Sequence, residues 1–234
     1  MCSSDLTWLL GKTSSPATSG SVTITASNLS FAAGSTTINT SGTVTVQPSS
    51  TSFISALTFP ATGLAFSSSV TGLTLGSSSN TANIMLNGAI AIAGPISVYG
   101  GAIDVNSNLT STLLNSPIFL KSKGNITSGS SVTYTTNKGN LVFWSDSTSA
   151  GTGAIILGDG TTLNTANGLT TSGLSDGGHI VLAGGADTNA DNIPDGYANS
   201  NYYSGVQIGA STAAATSMYS GGGNVTIRGK STST

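Results

Sequence analysis

A five-residue unit, Gly, any residue, aliphatic, any residue, aliphatic or aromatic, recurs along the chain and restricts what it can fold into. It reads GSVTI from residue 20, GTVTV from 42, GAIAI from 88, GPISV from 94, GAIDV from 101, GNLVF from 139, GAIIL from 153, GHIVL from 178 and GNVTI from 223. SPIFL at 116 and GLTL at 72 are variants of it. Nine copies exceed what a Gly-rich composition gives by accident. Within each unit apolar residues alternate with small polar ones, the period of a strand with one face inward and one outward. The unit glycines at 20 and 42 stand 22 apart, whereas those at 88, 94 and 101 are separated by 6 and 7. Three short sides joined by tight corners therefore make one turn of the larger spacing, with Gly, Asn and Ser supplying positive φ at the corners. Stacking such turns pairs each strand with its counterparts above and below and gathers the inward aliphatics into one column. The expected fold is all-β, a right-handed parallel β-helix (solenoid) over residues 20–230. About ten coils would make a rod on the order of 50 Å long, read as a fragment of a longer one.

Three other architectures compete. Short strands with frequent turn signals also suit a β-sandwich. Residues 84–103 are uncharged and long enough to span a bilayer as a helix, but Asn87, Gly94-Pro95, Gly100-Gly101 and the alternation favour strands. The ~10-residue amphipathic strands and aromatic girdles of an outer-membrane barrel are not evident.

Composition supports strands and narrows function. Charged residues make up 6% of the 234, against roughly 25% in an average domain. All eight acids are Asp, and no residue between Lys12 and Asp104 carries a formal charge. The lack of Glu and the scarcity of Lys and Arg disfavour helices, whereas Thr, Val and Ile suit a pleated surface. A net charge of −2 and a single arginine, Arg228, leave no basic footprint for phosphates, so no nucleic-acid partner is expected.

The first six residues, MCSSDL, hold the only cysteine, Cys2. Read back through the genetic code they match the end of a common sequencing adapter, GTG TGC TCT TCC GAT CT. Residues 1–6 are therefore read as an adapter scar and set aside from fold reasoning, residues 7–19 as a partial lead-in and 231–234 as a truncated tail. On this reading the absence of a signal peptide says nothing about secretion.

The units GSVTITASN, IFLKSKGNITSGSSVTYTTNKGNLVFWSDS and GGHIVLAGG resemble the repeat region of filamentous-haemagglutinin-like adhesins and large bacterial β-strand-repeat surface proteins. The likeness covers most of residues 20–230 through degenerate motifs. It implies a secreted rod at a Gram-negative cell surface, exported by an outer-membrane secretion partner and contacting a glycan or protein receptor. No secretion-signal domain of such proteins is visible.

Catalytic signatures are incomplete. GLSDG at 173–177 matches G-x-S-x-G, with Ser175 as nucleophile and His179 as nearby base, but a strand follows where the elbow needs a helix. His179, second in its unit, is expected to face outward. LLGKTSS at 9–15 ends like a phosphate-binding loop, yet Leu6 occupies the place of its first glycine. Asp104, Asp146, Asp159 and Asp176 are available to a β-helical polysaccharide lyase or glycosidase, though nothing in the sequence assembles a carboxylate pair beside a sugar-binding aromatic. The five N-x-S/T sites, at Asn28, Asn39, Asn108, Asn125 and Asn224, follow from composition.

The sharpest constellation is ADTNADNIPDGYA, residues 186–198. Asp187, Asn189 and Asp191 alternate as in an oxygen-ligand Ca²⁺ loop, with the Ile193 carbonyl and Asp195 as further ligands. The stretch also resembles the D-x-D-x-D-G-I-P-D loops of thrombospondin-type-3-like repeats. Asn192 stands where Gly is usual and Ala198 where an EF-hand places Glu, so an affinity suited to extracellular Ca²⁺ is expected. Asp and Asn also simply make turns, and that reading stays open. A loop excursion from about 186 to 222 carries Tyr197, Tyr202, Tyr203 and Tyr219, candidates for a binding surface or for cover over one edge of the rod. GVQIGAS at 205–211 offers a further strand within it.

The expected function is a non-enzymatic structural segment of a secreted adhesin, with possible end-to-end self-association through uncapped rod ends. A polysaccharide-active enzyme and a Ca²⁺-dependent stalk module are the alternatives.

Overall fold

A computed structural model describes residues 20–29, 36–60, 64–171, 174–200, 204–209, 211 and 214–231. The described chain is all-β, without helix, and its strands stack as a parallel β-helix. The longest sheet carries eight strands: β1 (Val22–Thr25), β3 (Thr43–Gln47), β6 (Gly72–Leu75), β9 (Ile96–Gly100), β12 (Ile118–Ser122), β15 (Leu141–Ser145), β18 (Ile180–Gly184) and β22 (Val225–Ile227). A second sheet stacks β4 (Leu57–Phe59), β7 (Ile84–Leu86), β10 (Ile103–Val105), β13 (Ile126–Ser128), β16 (Ile155–Leu157) and β20 (Val206–Ile208). A third stacks β8 (Ile90–Ile92), β11 (Leu109–Leu114), β14 (Thr133–Asn137), β17 (Thr162–Asn164) and β21 (Ser217–Tyr219). Two short pairs complete the strands of the described residues, β2 (Thr36–Ile38) with β5 (Leu64–Phe66) and β19 (Ala198–Ser200) with β23 (Gly229–Ser231). All strand pairs are parallel.

The register gives the length of each turn. Along the first sheet Val22 pairs with Val44, Val44 with Leu73, Leu73 with Ile96, Ile96 with Ile118 and Ile118 with Leu141, steps of 22, 29, 23, 22 and 23 residues. The next two steps, Leu141 to Ile180 and Ile180 to Val225, take 39 and 45. Those two long turns consume chain that would otherwise make further coils, so among the described residues eight turns begin rather than about ten. Seven steps of roughly 4.8 Å span about 34 Å along the axis.

Every one of the nine Gly-led units contributes a strand, and six of them lie in the eight-stranded sheet. Their third and fifth residues point inward: Val44 and Val46, Ile96 and Val98, Leu141 and Phe143, and Ile180 and Leu182 are all fully buried in one continuous core. Gly, Asn and Ser supply most of the positive-φ corners, as expected, but the unit glycines serve another purpose. A Cβ on Gly42, Gly94, Gly139, Gly178 or Gly223 would lie 1.8 to 2.6 Å from a carbonyl oxygen of the turn below. Close approach of stacked backbones demands glycine there, whereas the left-handed corners use other residues, among them Gly76, Asn115, Lys138 and Asn167.

Residues immediately before strands form a second ladder. The side-chain oxygens of Asn83, Asn108, Asn125 and Asn140 accept backbone N–H groups of Ala102, Thr133, Ala154 and His179, each in the next turn. His179 continues the ladder, its Nδ1 accepting the N–H of Asn224 at 2.9 Å.

Candidate functional site

The outer face of the first sheet changes character along the rod. In the early turns it carries Thr23, Thr45, Thr74 and Ser97, paired in one column. The same column continues as Phe119, Val142 and Val181, and its neighbour runs Tyr99, Lys121, Trp144, Ala183. β15 and β18 are consequently buried on both faces. Val142, Trp144, Val181 and Ala183 form a small second core outside the rod, against which Phe119 and Ile193 pack.

What covers them is the loop after β18. The Trp144 indole Nε1–H donates to the Gly185 carbonyl at 2.7 Å, and Gly184 and Gly196 bridge the two limbs of the loop. The Arg228 guanidinium donates to the Pro194 carbonyl at 3.1 Å. Edge-on to Trp144 stands Phe119, with ring centroids 6.2 Å apart, and Tyr99 lies 5.9 Å beyond Phe119. The Lys121 ammonium sits 3.4 Å from the Trp144 ring centroid. Burial pushes its pKa down, and the Asp187 carboxylate acts in the opposite sense. Burial likewise raises the Tyr99 phenol. Aromatic rings, one cation and the acidic loop thus share one outer surface.

Sequence reading singled out the loop but not the aromatic strip beneath it. Its signal was present as a break in the small-polar alternation. LVFWS and IVLAG carry apolar residues at outward positions, the pattern of strands covered on both faces.

Within the loop, Asp187, Asn189 and Asp191 come together in one turn. Asp187 Oδ1 accepts the N–H groups of Ala190 and Asp191, and its Oδ2 accepts that of Asn192. Asn189 Oδ1 accepts from Asp191, and Asp191 Oδ1 from Ile193. Ala190 and Asn192 adopt φ near +60°, so Asn192 tolerates the conformation that glycine usually fills. Asp195 is on the other limb, where its Oδ2 accepts both the N–H and the hydroxyl of Thr188. Those two hydrogen bonds, the hydroxyl first, hold its carboxyl below the usual range. The Ile193 side chain turns toward the outer core. Among the described residues no three His, Cys, Asp or Glu side chains gather as a metal-holding group.

Of the four candidate tyrosines, the two among the described residues lie on different elements. Tyr197 is half exposed beside the loop, with Lys230 5.6 Å from its ring centroid, while Tyr219 lies in β21 of the third sheet. Tyr202 and Tyr203 lie outside the described residues, as do residues 1–19. Between 186 and 222 the chain returns to the rod three times, as β19 beside Gly153, as β20 on β16 and as β21 on β17.

His179 is exposed, and its Nδ1 is occupied by the Asn224 N–H. Asp176 pairs with Lys138. Asp159 binds the N–H and hydroxyl of Ser211, and Asp146 is buried in a corner. Comparison with family models, curated proteins and solved structures finds no match for this chain.

Proposed function

We propose that this chain is a non-enzymatic structural segment of a secreted bacterial surface adhesin, in which the stacked turns hold a contact surface away from the cell. The observation that carries this reading is the loop of residues 185–197, fastened to the rod through Trp144 and flanked by Tyr99, Phe119 and Lys121. Loops on a rigid scaffold are where binding residues concentrate. Aromatic faces beside polar loop groups suit a glycan or protein receptor. Secretion through an outer-membrane partner belongs to the same reading, as does Ca²⁺ on Asp187, Asn189, Asp191, Asp195 and the Ile193 carbonyl.

The test is adhesion of beads coated with the chain to host cells and to a glycan array. Controls carry the same rod with residues 186–195 replaced by a short Gly-Ser turn, checked for folding by circular dichroism. Binding that depends on the loop is the expected result. Equal binding by both coatings, or none by either, overturns the adhesive assignment, and product release from polysaccharides would replace it with an enzymatic one.

A further inference from the structure

Asp146 occupies the most unusual position of any charged residue among those described. It is fully buried, at the corner between β15 and β16, with φ at +47°. Both its carboxylate oxygens accept the Gly151 N–H at 3.1 Å, and Oδ2 also accepts from Asn199 Nδ2 at 2.8 Å. The ion pair present among the described residues joins Lys138 to Asp176 and does not involve this carboxylate.

Asn199 is 7% exposed. Its Nδ2 donates to Asp146 and to the Tyr197 carbonyl, while its Oδ1 is buried with no hydrogen-bond partner. Turning the amide over would set Oδ1 against two acceptors, so the hydrogen bonds fix its orientation. One solvent-excluded corner thus contains a carboxylate without a cation and an amide oxygen without a donor. Each is costly to bury in that state.

We propose that this corner binds a hard, oxygen-seeking cation, Ca²⁺ or Na⁺, on the Asp146 carboxylate and Asn199 Oδ1. Such an ion supplies positive charge and ligates a neutral oxygen at once. A water molecule would satisfy the amide oxygen and leave the carboxylate charge uncompensated. The location gives the ion a task. Gly153 and Asn199 exchange both backbone hydrogen bonds, at 2.8 and 2.9 Å, where β19 meets the preceding turn. An ion held by Asp146 and Asn199 fastens that junction and with it the base of the 185–197 loop. The site is distinct from the Asp187–Asp195 turn and does not depend on the adhesive reading.

The experiment is thermal melting of the whole chain, stripped with chelator into a tetramethylammonium buffer and then given CaCl₂, NaCl or MgCl₂ at matched ionic strength. A rise of several degrees with Ca²⁺ or Na⁺ and none with Mg²⁺ is expected, since Mg²⁺ sheds its waters reluctantly. The rise should persist in the double variant Asp187→Ala/Asp191→Ala, which removes the loop acids, and disappear when Asp146→Asn, which keeps an acceptor oxygen and loses the charge, is added to that double variant. Asn199→Ala provides a second test, by weakening the response if Asp146→Asn does not fold. No cation-dependent rise in the unmodified chain overturns the proposal, as does a rise that survives both Asp146→Asn and Asn199→Ala when each is made in the Asp187→Ala/Asp191→Ala background. A rise abolished by the double variant alone assigns the ion to the loop instead.

Discussion

Tyr134 and the unit glycines show how single residues set the limits of the stack. Tyr134 fills the core beside Phe143, ring centroids 4.9 Å apart, while its hydroxyl is buried without a hydrogen-bond partner. That burial raises the phenol's pKa strongly, with the nearby Ser128 hydroxyl, outside good hydrogen-bond geometry, acting in the opposite sense. Tyr134→Phe keeps the ring pair and removes the orphan group, so unfolding in urea should show a gain of about 1 kcal/mol. The opposite outcome is expected at Gly139, where a Cβ would lie 2.0 Å from the Ser116 carbonyl oxygen. Because backbone has to move, Gly139→Ala should cost about 3 kcal/mol in the same measurement. Sequence made the recurrence of glycine plain and its cause obscure. Tight corners and close-stacked backbones both select glycine, and only the packed turns distinguish them.

At the scale of elements, the alternation G-x-φ-x-φ was enough to place the inward residues, because a strand in a stacked turn has one face in the core and the other outside. It did not reveal that β15 and β18 are covered on the outside too, since the loop that covers them follows them in the chain. Ile193 packs on the outer cluster of Val142, Trp144, Val181 and Ala183 from a loop whose base the Gly184–Gly196 bridge closes. Nor could Asp146 and Asn199 be linked by reading, being 53 positions apart and joined only through the corner they share. Trp144 is the residue on which the loop rests. Trp144→Ala should destabilise the protein by about 3–5 kcal/mol and make residues 185–197 the first point of proteolytic cleavage. Trp144→Phe, which keeps ring packing and loses the bond to the Gly185 carbonyl, should lose about 1 kcal/mol.

For the whole molecule, the last turn stands apart from the others. Val225 and Ile227 occupy inward positions of the eighth strand, yet each is 45% exposed, and Ile208 of β20 is 43% exposed. Among the described residues β22 pairs with β18 on one side, and the column of aliphatics is exposed beside its other edge. Unpaired strand edges backed by apolar surface recruit further strands, and a head-to-tail contact repeated without closure gives filaments. Sedimentation at increasing concentration should show association of the unmodified chain, reduced at least tenfold by the double substitution Val225→Thr/Ile227→Thr.

The stacking direction also determines how the chain would bear load. Hydrogen bonds between turns run along the axis, and each turn is joined to the next through its sheets in parallel. Pulled from its two termini, such a spool yields from an end, one winding after another. A regular winding of 22 or 23 residues pays out on the order of 75 Å of extended chain. The two windings of 39 and 45 residues hold nearly twice that in reserve, which makes the loop-bearing part of the molecule its longest shock absorber.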